Sequence, residues 1–370
     1  MDFTLSDEQQ AARDLAEQIF QGSVTVERVK AIEASEDRFD RELWSQLAQA
    51  NLLGLCLPEG VGGSGLGVLE LCLVLEQQGR VVAPVPLWAT VACGALPIAE
   101  WGTQAQRDAW LPGVVRGEFV LTGALAEAGV NDPAHPAAAA HPDGGAWRLT
   151  GTKVAVPAAH VAARVLVPAM TPDGVAVFLV DPQGPGVALE RAVTTNREIQ
   201  PHLHLDGAPG EPLGAPEAGG RVLAWTLDRA RVGLCALQLG VGEAAIALAA
   251  EYTSNRIQFG RPLATFQGAA LKAADGWIQS EALRVTTWQA AWRLDAGWDA
   301  TAEVLVAKWW ASEGGQRVVH IAQHLHGGMG ADIDYPVHRY FLWGKQIEDM
   351  LGGSSAQLAR LGETLAGAGR

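Results

Sequence analysis

Few side chains in this sequence are spaced for chemistry. His320 and His324 stand four apart, which puts two imidazoles on one helix face, and His326 follows. A zinc hydrolase built on that pair needs glutamate directly after the first histidine. Ile321 stands there, and no carboxylate is placed as a third ligand. His202 and His204 alternate along one strand face, again without a ligand cluster, so no metal site is expected. GVGGSG (60–65) has the spacing of a phosphate-cradling loop. Pro58-Glu59 precedes it instead of a strand, however, and Arg80 stands where an acid would hold a ribose. A glycine-rich loop between packed helices is the better reading. No G-x-S-x-G elbow appears, and Cys56, Cys72, Cys93 and Cys235 lie far apart without a C-x-x-C pair. Glu348 and Asp349 read as a solvated helix face.

The elements that must position these residues come in three stretches. Over the first 115 or so residues the apolar period is helical. Ser6 with Gln9, and Thr103 with Gln106, form capping boxes, and Asp40 can cap a helix carrying Leu43, Trp44 and Leu47 that stops near Gly54. Residues 68–78 are apolar almost all round and predict a buried helix ending at Gly79. Between about 118 and 206 the period falls to 2. Segments 147–156, 163–169, 174–181 and 202–206 predict a small, mainly antiparallel β domain. Residues 131–145 read as a surface loop and 208–220 as a flexible connector. From Arg221 helices return. Leu223, Leu227, Ala230, Leu234, Leu237, Val241 and Ala245 make one apolar stripe, and Leu271, Ala274, Ile278, Ala282, Val285, Trp288 and Trp292 nearly another. With 300–326 and 338–360 they predict a four-helix bundle whose packing absorbs several of the 13 tryptophans. The fold class is α+β, mainly α. It divides into an N-terminal helical domain (1–117), a central β-barrel-like domain (118–220) and a C-terminal four-helix bundle (221–370).

Composition narrows the partners. With 370 residues and a net charge of −14, the chain is large enough for substantial cores and poorly suited to nucleic acid or an anionic membrane. No run of about 20 apolar residues predicts a membrane span. The N-terminus lacks a signal-peptide pattern, and the scattered cysteines fit a reducing, cytoplasmic location.

Four stretches carry the reading further: MDFTLSDEQQAARDLA, LWSQLAQANLLGLCLPEGVGGSGLG with LEQQGR, YTSNRIQFGRPLATFQ, and LHGGMGADIDYP. Through them the sequence resembles the acyl-CoA dehydrogenases over almost its whole length. The resemblance implies the three-domain fold, FAD as cofactor and a CoA thioester as substrate. In such enzymes a carboxylate removes the α-proton while the β-hydride passes to flavin N5, and electron transfer flavoprotein is the usual acceptor. It also implies a shared flavin, with one subunit holding the isoalloxazine and base and its neighbour gripping the ADP half.

The ADP-gripping positions are largely kept. Arg256 can pair with a pyrophosphate; Gln258, Phe259, Phe266 and Gln267 match adenosine contacts; Gly327, Gly328 and Gly330 allow close backbone approach. His324 stands where the family has glutamine, and Gln323 beside it is the expected substitute. The flavin-and-base positions are largely lost. The T-E-P-x-x-G-S-D stretch appears as AEAGVND (126–132), and W-I-T becomes Ala155, Val156 and Pro157. The two positions used for the base are Leu351 and Ala230, neither of which accepts a proton. Retained and lost positions therefore sort by which subunit's flavin they serve. The expectation is a non-catalytic subunit that lends its ADP-binding half to a homologous catalytic partner in a heterotetramer. LHGGMGADIDYPVHRYFLWGKQIE further resembles such subunits of actinobacterial steroid side-chain degradation. The alternatives are a self-sufficient enzyme with a relocated base such as Glu348, and a flavin-free CoA-binding or structural relative.

Overall fold

The structure, a computed structural model, describes residues 3–130 and 132–368. Met1 and Asp2 of the opening motif and Asn131 of AEAGVND lie outside the described residues. The chain forms two compact units. One comprises the residues up to Val26, Cys72–Ala83 and those from Arg231 onward; the other comprises Glu27–Leu71 and Pro84–Ala230.

The N-terminal helices are α1 (Asp7–Ser23), α2 (Val26–Ala34), α3 (Arg41–Gln49), α4 (Val68–Val81), α5 (Leu87–Thr90), α6 (Leu96–Trp101) and α7 (Gln104–Val115). Both capping boxes form, at Ser6/Gln9 and Thr103/Gln106, and the Asp40 side chain accepts from the Leu43 amide. Helix α3 ends earlier than expected, at Gln49, where the chain reverses through Asn51 at φ 57°. Helix α4 does not end at Gly79. That glycine lies inside it because a Cβ there would sit 2.2 Å from the Leu237 carbonyl oxygen. The glycine serves a close helix crossing and not a cap.

The strands are β1 (Leu121–Gly123), β2 (Ala139–Asp143), β3 (Ala146–Lys153), β4 (Arg164–Thr171), β5 (Gly174–Val180), β6 (Val187–Glu190) and β7 (His202–Pro212). They follow the order β1-β4-β2-β3-β7-β5, β4 also pairs with β5, and β6 flanks β7. The path from β4 through β2, β3, β7 and β5 returns to β4, which is the expected barrel-like closure. Pairing is mainly antiparallel, with β1 and β2 parallel to β4. Two expected loops are corrected here. Residues 139–143 pair with β3, and the 208–220 connector begins as strand because β7 continues to Pro212 against β3 and β5.

The C-terminal helices are α8 (Gly219–Asn255), α9 (Gln267–Asp295), α10 (Thr301–Trp309), α11 (Gly315–His326), α12 (Val337–Asp349) and α13 (Ser354–Ala368). A π-helical turn, Trp310–Gly314, joins α10 to α11. The 37-residue α8 is long and apolar enough to cross a membrane, but its most apolar window is 83% buried, as in a core helix. Two further expectations change. Residues 338–360 are not one helix, since Leu351 at φ 57° and Gly352 at φ 97° break it between α12 and α13. The α9 stripe does not face the core. Leu271, Ile278, Val285 and Trp292 are exposed, while Gly276, Ser280, Leu283, Thr287 and Leu294 are buried. Small and polar residues pack inward there because neighbouring helices approach closely: a Cβ on Gly276 would lie 2.8 Å from Ile246.

Candidate functional site

The hairpin of β8 (Ile257–Gln258) and β9 (Arg261–Pro262) opens the site. Its two turn residues, Phe259 and Gly260, both have left-handed φ, 54° and 78°, the pattern of a tight two-residue hairpin turn. That conformation costs an aromatic residue backbone energy and throws its ring outward. Phe259 is 91% exposed, which no burial gain explains. It meets Phe266 edge-to-face at 6.1 Å, and the Arg261 guanidinium lies 4.0 Å over the Phe266 ring.

Phe266 is also the N-cap residue of α9 and supplies no side-chain cap, so the positive end of a 29-residue helix is open there. The α9 start, Phe259, Phe266, Leu263, Thr253, Lys272, His324 and Leu325 line a groove of about 370 Å³. Arg256 is exposed, and its guanidinium makes no ion pair among the described residues. Gln258 and Gln267 are exposed as well.

The loop after α11 behaves as a cradle at two of its three glycines. Gly327 adopts φ 60°, ψ −133°, which only glycine holds readily, and a Cβ on Gly327 or Gly328 would meet no atom within 4 Å. Gly330 differs: it is buried, and a Cβ would lie 2.6 Å from the Gln323 carbonyl oxygen, so local packing requires it. His324 lines the groove, whereas the Gln323 side chain lies against Gly330. Aromatic walls, an open helix N-terminus, a free guanidinium and an unobstructed glycine backbone fit the adenosine diphosphate half of FAD.

In the other unit the positions matching the flavin ring do not fit that role. The backbone donors of 154–156 are all consumed internally. Val154 donates to Ala126 O (2.9 Å), Ala155 to His202 Nδ1 (3.1 Å) and Val156 to Pro201 O (2.9 Å). Pro157 has no N–H to offer. Glu127, in the altered AEAGVND stretch, is buried. It pairs with the buried Lys153 and accepts from the Ala137 and Ala138 amides at 2.7 and 3.2 Å. Burial alone would raise its pKa; the Lys153 hydrogen bond and charge, then the two amides, hold it below the usual carboxylate range. Glu127 is thus a structural anion. Sequence reading missed this pair, whose only signal was Lys153 at the end of a strand next to apolar residues.

The two positions at which the resemblance expects a base are apolar in three dimensions as well. Leu351 is 8% exposed and Ala230 fully buried, its carbonyl accepting from Trp88 Nε1 at 2.8 Å. Glu348 is tied to Lys345 in an ion pair, and Asp349 is exposed. His320 packs against Phe341, and His204 bridges Thr152 and Glu190. A second cavity of about 550 Å³ lies around Arg28 and Arg41, but both are already paired, with Asp40 and Asp37.

Comparison with known proteins matches residues 6–118 to the acyl-CoA dehydrogenase N-terminal domain and residues 217–365 to the acyl-CoA dehydrogenase C-terminal domain. Acyl-CoA dehydrogenase FadE27 of Mycobacterium tuberculosis is 40% identical, covering 99% of both chains. Among solved structures, a variant of the Tcur3481-Tcur3483 steroid ACAD is 52% identical with a TM-score of 0.95, covering 99% of this chain and 100% of that one. The ChsE4-ChsE5 complex from Mycobacterium tuberculosis is 40% identical with a TM-score of 0.93, covering 99% of each.

Proposed function

Because the chain belongs to the acyl-CoA dehydrogenases, FAD-dependent oxidoreductases acting on the CH–CH bond of acyl-CoA, we propose that it is a subunit lending half a flavin site to a homologous catalytic partner. The observation that carries this reading is the split between its two halves. The groove at Phe259, Phe266 and His324 is open and Arg256 is exposed on the same hairpin segment, while Leu351, Ala230 and Pro157 offer neither a base nor flavin-ring donors.

Arg256 and the Gly327–Gly328 backbone would hold the pyrophosphate, and Phe259, Phe266, Gln258, Gln267 and His324 the adenosine part. FAD, when bound, supplies the acceptor for a hydride. This chain's residues bind and orient the cofactor, and the proton at the substrate α-carbon must go to a carboxylate of the partner. A bulky, steroid-type CoA thioester as substrate is supported by the likeness to a steroid ACAD. A heterotetramer, electron transfer flavoprotein as acceptor, the division 1–117, 118–220 and 221–370, and a cytoplasmic location complete the proposal. Against Glu348 as a relocated base stands its ion pair with Lys345.

The test is to co-purify the chain with a homologous subunit carrying the base and to count flavin. One FAD for every two chains, lost on Arg256→Ala in this chain, is the expected result. Flavin and turnover in this chain alone would sink the reading, and absence of flavin even with the partner would favour a CoA-binding or structural relative.

A further inference from the structure

We propose that Lys308 is the positioning residue of the Met350–Gly353 turn, holding from inside the bundle the segment that sets where residue 351 points. This concerns the chain's own turn and does not rest on the flavin reading.

Lys308 is 0% exposed, and no carboxylate lies within ion-pair distance of it among the described residues. Its ammonium instead reaches Ser312 Oγ at 2.8 Å and the carbonyl oxygens of Glu348, Ile347 and Gly352 at 3.1, 3.2 and 3.3 Å. The π-helical turn after α10 carries Ser312, whose hydroxyl donates in turn to Glu348 O at 2.8 Å. From α13, Gln357 Nε2 donates to Leu351 O at 3.0 Å and Gly352 O at 2.9 Å. Three side chains from three segments thus satisfy four carbonyls of the α12 end and the turn.

The last carbonyls of a helix lack intrahelical partners and carry its negative dipole end, so a buried cation is stabilised there without a counter-ion. Burial pushes the Lys308 pKa down to about 8, which leaves the group mainly an ammonium at neutral pH. The turn needs such a hold. Leu351 sits at φ 57°, a left-handed conformation that residues other than glycine adopt only against a steric penalty. Residue 351 is also where the family resemblance expects the proton-abstracting carboxylate, and in this chain the held turn presents a leucine.

The experiment is hydrogen exchange on the full chain, reading the amides of Gly352, Ala356 and Gln357, which close the turn onto Asp349 O and Gly353 O. Lys308→Met keeps the buried stem and removes the donors. The turn amides should then exchange about tenfold faster, the order expected for losing hydrogen bonds to a charged group, while α9 and α11 keep their protection. In Lys308→Ala, added n-propylammonium should restore protection and n-butanol should not. Unchanged turn protection in Lys308→Met, or equal rescue by the alcohol, overturns the proposal. Should both variants fail to fold, Ser312→Ala decides it. Faster exchange confined to the turn supports the cage, and wild-type protection there refutes it.

Discussion

Two buried lysines, Lys153 and Lys308, meet the cost of burying a charge differently. Lys153 pairs with a carboxylate, Glu127, whereas Lys308 donates its hydrogen bonds to carbonyls and a hydroxyl. Removing one member of a buried pair strands the other, at about 3–5 kcal/mol. Lys153→Met should therefore lower unfolding stability by that order in urea titrations, and adding Glu127→Gln should recover part of the loss. Because the folded Glu127 pKa lies below its unfolded value, its contribution is present above the unfolded value and fades as pH falls through the folded one. In Glu127→Gln the acid limb of the stability profile should flatten. At the same scale, Arg256→Ala should weaken flavin retention without changing the melting temperature by more than a degree or two, since the side chain is exposed and unpaired.

Helices α4 and α8 cross through glycines that leave no room for a methyl group. A Cβ on Gly240 would lie 1.9 Å from the Glu76 carbonyl oxygen, and one on Gly79 2.2 Å from that of Leu237. Both partner atoms are backbone and cannot rotate away. Gly240→Ala should cost at least about 1–3 kcal/mol, measured by thermal unfolding. Around the same crossing, Glu76 and Glu243 are buried with Arg80 and Arg284. Burial first, then the neighbouring Glu76, push Glu243 up to about 7 against the pull of the two arginines. A carboxyl whose folded pKa is raised stabilises most below its unfolded value and loses that contribution as pH climbs through the folded one. Stability should therefore fall between about pH 5 and 7.5 in the wild type. Equilibrium unfolding of Glu243→Gln over that range should lack the decline; an identical decline would remove Glu243 as its source.

For the whole molecule, the most informative surface is the exposed face of α9. Leu271, Trp277, Ile278, Val285 and Trp292 spread over about 30 Å of helix at 1.5 Å per residue. Solitary exposed apolar residues are ordinary, but a continuous stripe bearing two tryptophans is not. Whether a homologous subunit covers this face is a question that one substitution answers. With the face covered by a subunit, Ile278→Asp leaves urea stability of the isolated chain within about 0.5 kcal/mol and lowers the mass of the co-purified complex in light scattering; an unchanged mass places the interface elsewhere.

Local rules, read from the string alone, determined the helix–β–helix order, both capping boxes and the Asp40 cap; motif likeness pointed to Arg256, Phe259, the glycine loop and the apolar residues at 230 and 351. Each depends on neighbours within a turn or on motif identity, and both are linear information. What the string could not carry was direction and close approach. The α9 stripe points outward because Gly276 and Ser280 pack inward. Gly79 serves a crossing because the Leu237 carbonyl, far along the chain, sits against it. The carbonyls around the break at Leu351 are met by Lys308 and Gln357 from other segments. Glu127 is a structural anion because Lys153 reaches it. Non-local distances decide these points, and they exist only once the chain has folded.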